Sequence, residues 1–141
     1  MVIRKLCEKD MPAVMSIWLT ANVQAHDFIP KSYWEGNSDN VSCLIRQSEV
    51  YVYESDGEVI GFVGLCDNYI AGLFVEPHSQ SCGVGKRLLD YVKSVKRELS
   101  LHVYRDNVRA VRFYKREGFT VMSDGVDGNT GAEEMLMEWK R

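Results

Sequence analysis

Between residues 73 and 87 the chain reads Leu-Phe-Val-Glu-Pro-His-Ser-Gln-Ser-Cys-Gly-Val-Gly-Lys-Arg, and this stretch limits the possible folds more than any other. The apolar run ending at Val75 predicts a strand that Pro77 stops. From Gly83 onward Val84, Leu88, Leu89, Val92 and Val95 recur at helical intervals, which predicts a helix up to Leu99. A strand that turns through glycines into a helix exposes the helix's first amides, which lack intrachain partners, and Gly83 and Gly85 let that backbone approach a ligand closely. Such a turn suits a phosphate or pyrophosphate. Two nucleotide motifs fail by position. A Walker A loop ending at Gly85 and Lys86 needs Gly at 80 and Ser or Thr at 87, where Gln80 and Arg87 stand. A dinucleotide fingerprint needs Gly or Ala at 88, where Leu88 stands.

The rest of the pattern predicts one mixed α/β domain over residues 1–141, of the α+β kind, with no linker. Val2 to Leu6 is a first strand. Asp10 reads as the N-cap of a helix with Pro12 in its first turn and Val14, Ile17, Trp18 and Ala21 on one face. A second helical region runs from about Pro30 to Arg46, broken near Gly36 and Asn37. Glu49 to Glu54 and Val59 to Cys66 form a hairpin around Ser55, Asp56 and Gly57, and Tyr69 to Val75 is the next strand. Leu101 to Tyr104 is a further strand. Val108 to Glu117 is a helix ended by Gly118, and two last strands surround Gly125, Gly128 and Gly131.

Composition narrows the function. Seventeen Lys plus Arg against 20 Asp plus Glu give a net charge of −3, which argues against affinity built on phosphate neutralisation, so no nucleic-acid partner is expected. The four cysteines form no CxxC pair and no cluster with His26, His78 or His102, so no metal is expected. Neither a signal-like apolar N-terminus nor a run of about 18 apolar residues occurs; no membrane association and a cytoplasmic location are expected.

Gln80-x-x-Gly83-x-Gly85, followed by Asn107, Ala110, Phe113, Tyr114, Gly118 and Phe119, resembles the two signatures of the GCN5-related N-acetyltransferase family, in the right order and over nearly the whole chain. The resemblance implies that family's acyl-CoA N-acyltransferase fold, a central mixed, mostly antiparallel, twisted sheet flanked by helices. It implies acetyl-CoA as cosubstrate and direct attack by an amine of a small molecule or peptide. The diphosphate would lie on Gln80, Ser81, Cys82, Gly83, Val84, Gly85 and Lys86. The backbone of Leu73, Phe74 and Val75 would offer ladder groups to the pantetheine amides. Asn107 would bond the pantetheine arm or sulfur, and as a plain alternative or in addition would cap a helix. Tyr114 would be the general acid near the sulfur, against the plain reading of a partly buried aromatic. Arg109, Arg112 and Arg116 fall on one helical face, which either helps attract the CoA phosphates or, on the preferred reading, is an ordinary solvated face, with Lys86 or Arg87 nearer the nucleotide. A non-catalytic acyl-CoA-binding module is the rival reading, and the protein is expected as a monomer or homodimer.

The size of the two proton problems ranks the catalytic groups. A lysine-like amine of pKa about 10.4 is neutral in about one molecule in 2,500 at pH 7, a deficit of roughly 4.6 kcal/mol. Protonating a departing thiolate of pKa about 8.5 is worth only about 2 kcal/mol. His102 is a candidate base: along its strand Leu101 and Val103 face one side, His102 and Tyr104 the other. A hydrogen-bonded or solvent-facing strand histidine is the alternative; Glu76 is a second candidate and water a third. Family likeness puts the acceptor near the first two helices, which points to His26 and Phe28, with Trp18, Asp27, Tyr33 and Trp34 around them.

Overall fold

In the computed structural model, which describes residues 1–141, β1 (Val2–Lys5) passes through a 3-10 turn (Glu8–Asp10) into α1 (Met11–Ala25) and α2 (Lys31–Gln47). Then come β2 (Glu49–Ser55), β3 (Glu58–Cys66), β4 (Tyr69–Val75), a 3-10 turn (Pro77–Ser79) and α3 (Val84–Val95). The chain finishes with β5 (Glu98–Tyr104), α4 (Val108–Arg116), β6 (Thr120–Val126) and β7 (Glu133–Lys140). The strands form one sheet in the order β1-β2-β3-β4-β5-β7-β6. Neighbours are antiparallel except β4 and β5, which run parallel and are joined through α3. This is the mixed, mostly antiparallel sheet flanked by helices that the family resemblance implies.

Both faces of the sheet are covered, which is why β2 reads as an almost unbroken apolar run. Its alternation sorts the side chains. Val50 and Val52 join Val14, Ile17, Trp18, Trp34 and Phe62 in the core under α1 and α2. Tyr51 and Tyr53 join Leu88, Leu89, Leu101 and Met137 in the core under α3 and α4. The β2–β3 hairpin closes through a two-residue loop, Asp56 and Gly57, both at positive φ, the geometry that matches strand twist. No helix is long and apolar enough to cross a membrane.

Three expectations are corrected. First, α2 continues unbroken through Gly36 and Asn37. The Asn37 side chain donates to the Tyr33 carbonyl one turn back, and burial of Trp34 and Ile45 offsets the roughly 1 kcal/mol that an interior glycine costs. Second, α3 ends at Val95 rather than Leu99. Lys96 turns extended and Leu99, 1% exposed, packs as a strand residue of β5. Third, Asp10 is not the side-chain cap of α1. Its carboxylate accepts two hydrogen bonds from the Arg4 guanidinium, at 2.8 and 3.0 Å, and one from the Cys7 amide at 2.8 Å.

That carboxylate is buried, and its hydrogen bonds to Arg4 hold its pKa below the ordinary aspartate range against the opposing effect of burial. Asp10→Asn should lower stability by about 2 kcal/mol at pH 7, measured by chemical denaturation. Because the folded pKa is depressed, the contribution is present above the unfolded value of about 3.9 and is lost as pH falls through the folded value. The gap between wild type and variant should therefore close only in acid below about pH 4. A gap that is constant with pH would mean packing rather than charge.

Candidate active site

β4 and β5 pair at only two positions, Tyr69 with Ser100 and Ile70 with Leu101. On its other edge β4 stays registered with β3 as far as Val75, but the register shifts between Ile70 and Gly72, leaving Ala71 as an extra residue. A bulge bends its strand and increases the local twist. It falls at the residue where pairing with β5 stops, so β4 swings away and residues 71–75 have no strand partner on that side. The gap is the floor of a cleft of about 980 Å³. Its walls are the C-terminal end of α1, the start of α3 and one face of α4.

Leu73, Phe74 and Val75 line this cleft. Above them the turn into α3 bends through two left-handed residues, Ser81 at φ 67° and Gly83 at φ 84°. Nothing lies within 4 Å of where a Gly83 side chain would begin, so the glycine answers a backbone requirement and leaves the concave side open. Gln80 braces the turn: its Nε2 donates to the Val75 carbonyl at 3.1 Å, and its Oε1 accepts from Arg109 at 3.0 Å. Arg109 also donates to the Ser81 hydroxyl. Gly85 and Lys86 line the cleft; the Lys86 ammonium pairs with Glu117 at 2.9 Å and Asp90 at 3.4 Å, which raises its pKa.

Not all of the expected turn residues face the ligand space. Val84 is 4% exposed and its side chain belongs to the core, so it can contribute only its amide. Cys82 is exposed and outside the cleft lining. Arg87 points away, donating to the Tyr53 hydroxyl at 2.9 Å. The face read as solvated is the basic one: Arg109, Arg112 and Arg116 all line the cleft. Their i, i+3, i+7 spacing was visible. What was missing was which way α4 turns, and that depends on burial of Tyr114 between Phe113 and Phe119.

Tyr114 lines the cleft while only 8% exposed. Burial alone pushes its pKa well above the ordinary tyrosine value, so the hydroxyl keeps its proton at neutral pH. Asn107 caps α4, its side-chain oxygen accepting from the Ala110 amide at 3.3 Å, and its Nδ2 lies 3.1 Å from His26 Nε2. His26 also lines the cleft, 8% exposed at the end of α1, packed against Trp34, Tyr104 and Phe28. Phe28 is half-buried in that aromatic group and is not part of the cleft wall.

The two candidate bases lie elsewhere. His102 is exposed on the α1/α2 face of the sheet, its Nδ1 2.7 Å from the Tyr69 hydroxyl, and it does not line the cleft with Tyr114. Glu76 accepts from the Ser79 hydroxyl at 3.1 Å, also outside the lining. No group of three or more His, Cys, Asp or Glu side chains could hold a metal ion.

An open strand edge, a turn with outward amides and a row of arginines form a receptacle for an elongated ligand with an anionic end. If the cleft holds acetyl-CoA, as the family resemblance implies, replacing Arg109 with Ala should weaken that binding roughly tenfold, read by calorimetry, because the turn loses its brace and the cleft loses a cation. An unchanged affinity would make the Gln80–Arg109–Ser81 contact incidental.

Comparison with known proteins bears on this geometry. The family model "Acetyltransferase (GNAT) domain" matches residues 46–121, from the end of α2 into β6. The peptidyl-lysine N-acetyltransferase YiaC of Escherichia coli (strain K12) is 30% identical over 140 residues, 98% of this chain and 96% of that one. The solution structure of apo YjaB from Escherichia coli superposes with a TM-score of 0.86 at 27% identity, covering 98% of this chain and 96% of that one. The structure of yncA, a putative acetyltransferase from Salmonella typhimurium with its cofactor acetyl-CoA, shares the fold at a TM-score of 0.70 and 20% identity, covering 99% and 93%.

Proposed function

We propose that this chain, which belongs to the GCN5-related N-acetyltransferase family and is an N-acetyltransferase, takes its acetyl group from acetyl-CoA and passes it to a primary amine, the side-chain amine of a lysine in a peptide. The observation that carries the reading is the parted β4–β5 edge with the protonated, buried Tyr114 beside it. The residues present fit the coenzyme. The open edge of Leu73 to Val75 suits the amides of the pantetheine arm. The turn at Ser81 to Gly85 suits a diphosphate, and Arg109, Arg112 and Arg116 supply cations along the same wall. The peptide acceptor follows the names of YiaC and YjaB, both peptidyl-lysine N-acetyltransferases, which match this chain over 98% and 84% of its length.

In the transfer the amine nitrogen forms a bond to the acetyl carbon, the carbon–sulfur bond breaks, and Tyr114 gives its proton to the departing sulfur and regains one from solvent. The amine's proton leaves to water: His102 and Glu76 stand outside the cleft, His26 Nε2 is engaged by Asn107, and of the two carboxylates in the lining Glu117 is paired with Lys86 and Asp106 lies exposed. This places the larger deficit, about 4.6 kcal/mol for a lysine amine at pH 7, on solvent and on pH. Activity should climb with pH toward the pKa of the acceptor amine.

Tyr114→Phe keeps the ring and its packing but removes the acid. Acetyl-CoA should bind as before, while turnover falls about 30-fold at pH 7, the equivalent of about 2 kcal/mol, and the defect should narrow above about pH 8.5. Unchanged turnover would remove Tyr114 from the chemistry. The acceptor class is tested by thiol release and mass spectrometry with a panel of lysine peptides, α-amino peptides, polyamines and aminoglycosides. Acetylated lysine peptide is the expected product. Coenzyme binding without acetylation of any amine would instead favour an acyl-CoA-binding module.

A further inference from the structure

The imidazole of His26 joins the two walls of the cleft. Its Nε2 lies 3.1 Å from Asn107 Nδ2, so the C-cap of α1 touches the N-cap of α4 across the parted strands. The hydrogen-bonding capacity of Asn107 determines what this contact is. Its Oδ1 already accepts from the Ala110 amide, so the amide nitrogen must be the atom facing His26. An amide nitrogen can only donate. His26 Nε2 is therefore the acceptor, and the single ring proton of the neutral imidazole sits on Nδ1, which is buried without a hydrogen-bond partner. The ring is held by stacking on Trp34 at 5.4 Å and by edge contacts with Tyr104 at 5.0 Å and Phe28 at 5.6 Å.

We propose that His26 is a positioning residue: by accepting one N–H of Asn107 it locks that amide, leaving the second N–H as a fixed donor to a carbonyl of the bound coenzyme arm. The inference rests on the acetyl-CoA reading of the cleft. It gives His26 a part other than holding the acceptor. With Oδ1 and one N–H of Asn107 engaged inside the protein, the remaining N–H is the amide's only uncommitted donor, and Asn107 lines the cleft. Burial, which holds the imidazole below the ordinary histidine range, keeps Nε2 unprotonated and able to accept.

Two measurements test this independently. The first is the ¹⁵N chemical shifts of the His26 ring in the wild-type protein without coenzyme. They should report the Nδ1–H tautomer, and an Nε2–H tautomer or a charged ring would overturn the proposal whatever the coenzyme does. The second is a double-mutant cycle on the dissociation constant of acetyl-CoA. His26→Phe keeps the aromatic packing and should weaken binding about tenfold with little change in Tm, whereas His26→Gln, whose amide oxygen can replace Nε2, should recover most of it. In an Asn107→Ala background His26→Phe should have no further effect. Equal losses in both backgrounds, or a Gln variant as weak as the Phe variant, would overturn the positioning role. Should His26→Phe fail to fold, the ring shifts and the Gln variant still decide. A wild-type protein with the expected tautomer that does not bind acetyl-CoA would overturn the functional reading rather than the His26–Asn107 contact.

Discussion

The early parting of β4 from β5 is the constraint on which the other features depend. Parallel neighbours in a sheet normally satisfy one another along their length, and two registered pairs are few for two seven-residue strands. Each strand is held on its far edge instead: β4 by β3 as far as Val75, and β5 by β7 along its whole length. The bulge at Ala71 lets β4 obey β3 and leave β5 at the same point. An exposed backbone edge inside a protein is ordinarily a liability, and under the proposed function it is the surface that receives the ligand.

Two cores keep the parted strands in place. The cluster under α3 and α4 includes Leu101 and Val103 of β5 with Leu88 and Leu89 of α3, and Leu73 and Val75 of β4 pack against it. On the other face Phe74 packs on the cluster formed by α1, α2, β2 and β3. The cleft therefore opens between elements that are each anchored by buried side chains, so its shape exists before any ligand enters. Preorganisation of this kind reduces the ordering that binding would otherwise require.

Charge and protonation complete the site. The chain carries a net charge of −3, yet α4 turns Arg109, Arg112 and Arg116 along the cleft, which concentrates positive potential where an anionic coenzyme would enter. Deeper in, burial favours neutral forms: Tyr114 is kept protonated and His26 unprotonated, each by desolvation. The cationic rim and the neutral interior thus suit the two ends of one elongated ligand.

The strand-turn-helix from Leu73 to Arg87, the hairpin at Asp56 and Gly57 and the capped helix at Asn107 were legible from residues alone, because each depends on local backbone preferences and short-range hydrogen bonds. Tyr114 and Asn107, singled out by the family signatures, line the same cleft as Gly83 and Gly85. Long-range packing decided the rest. Gly36 sits in an unbroken helix because Trp34 and Ile45 are buried, and Asp10 serves Arg4 rather than α1 because β1 brings the guanidinium to it. Arg109 faces the ligand space, while Arg87 reaches back to Tyr53. His26 and Asn107 stand 81 residues apart, and their contact exists only because α1 and α4 close on the same gap in the sheet. Sequence determines what each segment prefers and what each side chain can donate or accept; which of those groups meet follows from burying both faces of one sheet, a condition set by the whole chain.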